Sequence, residues 1–140
     1  MSPVATDTIG AVRDAMAEAL MVLPGTQVSA RLLSNPTPPC AQVTRGPLQF
    51  DQAMHGGVHR PTFIVSVYVG LVSDIGAQLL LDRYLAPDGD LSVKQALEAD
   101  TTLGGLVQAL HVTGASGEQP YNRDQGGPVL GTAFTVEVWL

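Results

Sequence analysis

Asp51, His55 and His59 lie four residues apart in the stretch "FDQAMHGGVHR", residues 50–60. On a helix that spacing would bring a carboxylate and two imidazoles to one face, the start of a metal site. Gly56 and Gly57 stand between the histidines and disfavour a helix there. A competent site needs three or four placed ligands, and no second carboxylate–histidine pair occurs in the sequence. The spacing fits histidines in a polar contact loop better than metal ligands, so neither a metal nor any other cofactor is expected. His111, among apolar neighbours, reads as a strand residue.

Nucleophilic chemistry finds equally little support. Cys40 follows two prolines with no histidine placed near it in sequence. "GASG" at residues 114–117 lacks the spacing and the strand–turn–helix setting of a nucleophile elbow. "DGD" at residues 88–90 is not followed by the ligand spacing of a calcium loop. Glu98 and Asp100 read as a solvated acidic face rather than an acid/base pair. No phosphate-cradling or dinucleotide fingerprint occurs. The expectation is a protein that is not an enzyme.

Composition sets further bounds. The 140 residues suit one domain, taken as residues 1–140. Charged residues make up only 14% against 45% apolar, which describes a globular chain with a charge-poor surface, a mild sign of burial in an assembly. Net charge is −6 and the seven basic residues are scattered, so tight binding to a phosphate backbone is not expected. A single cysteine excludes an internal disulfide and suits a reducing compartment. No signal peptide and no membrane span are expected, since no apolar run approaches ~18 residues.

The elements follow from periodicity. Ile9, Val12, Met16, Ala19, Leu20 and Leu23 form a helical stripe that Pro24-Gly25 ends. Residues 26–33 alternate as a half-buried strand, "NPTPP" turns, and residues 40–45 resume an extended pattern. Residues 46–60 read as a long loop. In residues 62–72, Phe63, Val65, Val67, Val69 and Leu71 share one strand face. Ser73 or Asp74 caps a helix running to about Tyr84. Ser92 caps a short one, with Gln95 as the capping-box partner. Residues 106–112 read as a strand, 114–128 as a second long loop, and 129–140 as a final strand with Leu130, Thr132, Phe134, Val136, Val138 and Leu140 on one face. The order α-β-β-β-α-α-β-β predicts an α+β fold: a single mixed, mainly antiparallel sheet with helices packed on one side. Val65, Val67, Phe134 and Val136 should lie in its core beneath Val12, Met16 and Leu20.

"YLAPDGDLSVKQALEADTTLGGLVQALHVTG", residues 84–114, resembles the C-terminal half of the tail terminator proteins of long-tailed (siphovirus) bacteriophages. The likeness lies in a helix ending in a "YL-AP-G" turn, a short "S-K-AL-AD-TLGG" helix, a strand similar to "V-LHVTG" and a last strand similar to "G–FTVEV", here "GTAFTVEV" at 131–138. More loosely it continues upstream through residues 50–74. The resemblance implies a virion protein at the tail–neck junction, assembled in the host cytoplasm. It implies a homo-oligomeric ring, commonly a hexamer, that ends the tail tube. Its partners would be the major tail tube protein and the head–tail connector protein. Genomic DNA would pass through the lumen without sequence-specific binding, and neither a cofactor nor a membrane would be involved. The alternatives are another neck component (a head–tail connector or tail-completion protein), a small ligand-binding or hydrolytic domain using Asp51, His55 and His59, and a host-encoded adaptor outside any virion. For a ring, the candidate inter-subunit contacts are Phe50, Met54, Arg60, Tyr121, Arg123 and Trp139. The arginines would meet Asp88, Asp90 or Glu98 of a neighbour.

Overall fold

The structure is a computed structural model and describes residues 8–31, 38–49, 60–122 and 127–139. Helix α1 (Thr8–Leu20) leads into β1 (Gln27–Ser29), β2 (Cys40–Gln49) and β3 (Arg60–Leu71). Helices α2 (Ile75–Leu85) and α3 (Val93–Glu98) follow, then β4 (Ala109–Ala115), β5 (Gln119–Tyr121) and β6 (Val129–Trp139). The six strands form one mixed sheet in the order β1-β2-β3-β6-β4, with β5 also on β6. Only β1 and β2 pair in parallel. The fold is α+β with the helices on one side, as the element pattern predicts.

The helical stripe and the strand faces meet in one core. Val12, Met16 and Leu20 of α1 are fully buried, as are Val65, Val67 and Val136, with Phe134 at 3% exposure. Each such side chain contributes roughly 1.5–3 kcal/mol of burial. Helix α1 lies over β1 and β2 and against α3, α2 over β3 and β6, and α3 over β4. The centre of the sheet is therefore covered by α2 through Ala77, Leu81 and Tyr84, rather than by α1 alone.

Several boundaries differ from the periodic reading, each for a local reason. Strand β1 ends at Ser29, because the Ser29 hydroxyl accepts the Arg31 amide and donates to the Arg31 carbonyl, a turn that competes with the ladder. Strand β2 does not stop at Arg45: past an irregularity between Arg45 and Leu48 it pairs again, Leu48 with Pro61 and Gln49 with Arg60. That irregularity accommodates Pro47, which has no amide to give. Leu71 is 46% exposed instead of sharing the buried face, since the register shift between Tyr68 and Gly70 breaks the alternation. Residues 101–106 are turns, so β4 begins at Ala109 and Leu106 is exposed.

The two long loops shrink accordingly. Of the first, residues 46–49 belong to β2 and Arg60 to β3, and 50–59 lie outside the described residues. The second contains β5, and β4 and β5 line up along β6 as two halves of one edge strand: Ala115 pairs with Phe134, and Gln119 with Gly131. Between them Ser116 keeps contact with β6, its amide donating to the Ala133 carbonyl at 2.9 Å.

The segment 92–107 is built as its punctuation suggests. The Ser92 hydroxyl accepts the Gln95 amide at 3.1 Å and donates to the Ala86 carbonyl at 2.6 Å. The capping box is only half formed, because the Gln95 side chain accepts the Gly89 amide instead. After α3, the Asp100 carboxylate accepts the amides of Thr102 and Gly104. Gly104 and Gly105 take φ of 72° and 91°, angles open to glycine at little cost. The turn delivers Gln108, whose amide donates to the Trp139 carbonyl at 2.8 Å and sets β4 beside β6.

Candidate functional site

Two side chains and one backbone amide from α3 and β4 converge on one carboxylate. The Lys94 ammonium lies 2.7 Å from Glu98 Oε2, His111 Nδ1 lies 3.1 Å from it, and the Val112 amide donates to it at 3.0 Å. Lys94 and Glu98 meet because they stand one helical turn apart. His111 faces away from the core on β4, while Val112 is buried. Beside this group an open cleft of about 350 Å³ is lined by Leu85, Pro87, Lys94, Phe134 and residues 111–115 of β4.

Glu98 is engaged as a brace rather than poised as an acid or base. Burial raises its pKa and is the largest single influence. The Lys94 hydrogen bond, the Val112 amide and the charges of Lys94 and His111 together outweigh it and hold the carboxyl below its ordinary 4.5. A lowered folded-state pKa gives stability that is complete above the unfolded value and is lost as pH falls through the folded one. Wild-type protein is therefore expected to lose more melting temperature than Glu98→Gln as pH drops from 5 to 3. The difference should correspond to less than about 1 kcal/mol, since the pair is partly solvated. Parallel thermal melts check this, and an identical pH dependence in the two proteins would contradict it. The carboxylate also caps an outward amide of the edge strand, which discourages strand addition there.

A second cluster gathers residues far apart in the chain. On α1, Arg13 donates from its Nη2 to the Val43 carbonyl at 3.1 Å, and its Nε is buried with no hydrogen-bond partner among the described residues. Arg31, just past β1, pairs with Asp14 at 3.2 Å. Arg45 stands two residues beyond Val43 on β2, exposed, and no described residue pairs with it. Burial lowers the pKa of Arg13 most, the charges of Arg31 and Arg45 lower it further, and Asp14 opposes them. Arg31, Arg45 and Asp14 thus all lie within electrostatic reach of Arg13, which gathers three of the chain's seven cations around one helix position. Positions 13, 31 and 45 carry no linear signal of this, and it arises only because α1 packs on β1 and β2.

The expected contact residues fall in different places. Phe50, Met54 and Arg123 lie outside the described residues, as do Asp51, His55 and His59. Arg60 is the first residue of β3, opposite Gln49. Tyr121, expected in the second long loop, belongs to β5, and Trp139 ends β6. The Tyr121 ring stands edge-on to Tyr68, centroids 5.2 Å apart, so its own chain already half-buries it. Asp90 is held by Arg83 at 2.9 Å and Glu98 by Lys94, so only Asp88 of the three expected acids is unpaired by any described residue. Cys40 opens β2 as a buried thiol. Among the described residues no group of three or more His, Cys, Asp or Glu could hold a metal, and no helix is long and apolar enough to cross a membrane. Comparison of the chain with protein-family models found no match, and comparison with curated proteins found none either.

Proposed function

We propose that this chain is a structural subunit of a bacteriophage neck, a tail terminator whose ring caps the tail tube and joins it to the head connector. The observation that carries the reading is the resemblance across residues 84–114 and 131–138. Those residues also form one connected unit: the Ser92-capped helix, the diglycine turn, β4, and the β6 strand that β4 pairs with. A surface suited to an assembly adds support. Ile75 and Leu79, one turn apart on the outward side of α2, are 70% and 63% exposed, a side-chain pair of the kind subunit contacts cover. Electron microscopy of purified virions carrying a tagged copy tests the reading. The tag is expected as a ring at the junction of tail tube and connector; particles without the chain, or with it elsewhere, would refute it.

A further inference from the structure

Six large apolar side chains are exposed among the described residues, and five of them gather at one end of the sheet. Strand β3 ends there at Leu71, paired with Val129 at the start of β6. Helix α2 starts just beyond with Ile75, sets Ala77 against Gly70, and carries Leu79 one turn further on its outward side. Strand β2 begins at this end too, with Cys40 beside Tyr68, and β1 begins with Gln27 beside Cys40. The turn that leaves α1 and enters β1 therefore returns to the same end, and it holds Met21 and Val22. The Thr26 hydroxyl meets the Tyr84 hydroxyl of α2, which ties that turn to the helix. The sixth side chain, Leu106, lies at the opposite end, two residues before the Gln108 amide that bonds the Trp139 carbonyl at the close of β6.

Two apolar pairs at this end each carry a carboxylate about one helical turn away. Glu18 stands three and four positions before Met21 and Val22, and the Met21 amide still donates to the Glu18 carbonyl. Asp82 stands three positions after Leu79 and seven after Ile75, on the same outward side of α2. Both acids are exposed, and no described residue forms an ion pair with either. The cation of α2, Arg83, is taken by Asp90, while Arg45 and Arg60 stand toward the start of β3, at the other end. We propose that this end of the fold docks a basic amphipathic segment of another protein. Its apolar side chains cover the Met21–Val22 and Ile75–Leu79 pairs, and its Lys or Arg side chains meet Glu18 and Asp82. Charge selects this occupant. A second copy presenting the same end would bring its own Glu18 and Asp82 against these acids. An anionic lipid surface would repel them as well. The inference concerns the isolated chain and does not depend on the neck reading.

The test titrates purified full-length protein against a fluorescent peptide of about 18 residues, long enough to form a helix, with Leu on one face and Lys on the other. A second peptide carries Glu in place of every Lys. Anisotropy should show the Lys peptide binding at least about tenfold more tightly than the Glu peptide. Leu79→Ser and Val22→Ser should each weaken that binding about tenfold, and Leu106→Ser at the opposite end should leave it unchanged. Asp82→Lys should weaken it well beyond Asp88→Lys, which makes the same change in net charge away from the apolar pairs. All five variants should melt close to wild type, since every site is exposed. Equal affinity for the two peptides, or equal loss in Leu79→Ser and Leu106→Ser, overturns the proposal. So does equal loss in Asp82→Lys and Asp88→Lys, which would reduce the binding to bulk charge. Two parallel measurements identify the other occupants. Self-association in sedimentation velocity that Leu79→Ser abolishes assigns the end to a second copy, and binding to phosphatidylglycerol vesicles that Leu79→Ser abolishes assigns it to lipid; either result also overturns the proposal. The neck reading is decided separately, by the place of the chain in the virion.

Discussion

Val136→Asp is expected to yield no cooperatively folded protein. Val136 is fully buried on β6, between Phe63 of β3 and Val112 of β4, and faces the helices. A carboxylate placed there would have no partner, and an uncompensated buried charge costs several kcal/mol even after relaxation. A domain of this size has on the order of 5–15 kcal/mol in total. Thr135→Asp is the matched control, because Thr135 lies on the opposite, half-exposed face of the same strand. It should remain soluble and melt cooperatively. Soluble fraction and thermal melts of the two variants decide the matter, and a cooperative melt from Val136→Asp would mean that β6 presents its other face to the core.

Among the described glycines, Gly131→Ala should be the most damaging replacement. Its backbone angle is not the issue. A Cβ at this position would run into the Val67 carbonyl oxygen, would lie 2.9 Å from Cδ1 of Tyr68, and would lie 3.3 Å from Cδ2 of Tyr121. The Val67 oxygen belongs to the backbone of a central strand and cannot swing aside. Gly131 also sits where β6 is flanked by β3 on one side and β5 on the other, next to the irregularity between Tyr68 and Gly70. Relief requires β3 and β6 to separate locally, an overpacking cost of about 3 kcal/mol or more. At roughly 2–4 °C per kcal/mol, the melting temperature should fall by about 10 °C. Gly114→Ala, where a Cβ meets open space, should change stability by less than about 0.5 kcal/mol. Equal melting temperatures for the two variants would show that the strands are not held this close.

The contrast between these two sites illustrates what periodicity can reveal. Val136 is legible because a strand that buries one face must alternate, and Phe134, Val136 and Val138 do so. Val12, Met16 and Leu20 are legible for the same reason at helical period. Asp74 and Ser92 stand out because each can answer an amide a few residues ahead without help from the rest of the chain. Gly131 gives no such sign, since its close neighbours come from β3 and β5. The missed extent of β2 has the same origin. Gly46-Pro47 reads locally as a break, yet the ladder resumes beyond it because β3 supplies partners at Pro61 and Arg60. Strand β5 is three residues without alternation and exists only because β6 offers an edge there.

Read alone, the order of residues determines the α+β class, the faces of α1, β3 and β6, the caps of α2 and α3 and the glycine turn before β4. Each of these is set by interactions within a few residues or by a simple period, and the resemblance to tail terminators likewise is carried by two short runs of sequence, residues 84–114 and 131–138. Tertiary structure decides the rest. It inserts β6 between β3 and β4, joins β4 and β5 into one edge, and turns Glu98 from a surface acid into the brace between α3 and β4. It also brings Arg31, Arg45 and Asp14 near Arg13, a concentration of charge that their separation along the chain conceals. The physical reason is common to all four: the partners lie many residues apart, and only the burial of one apolar face of the sheet under three helices draws them within reach of each other.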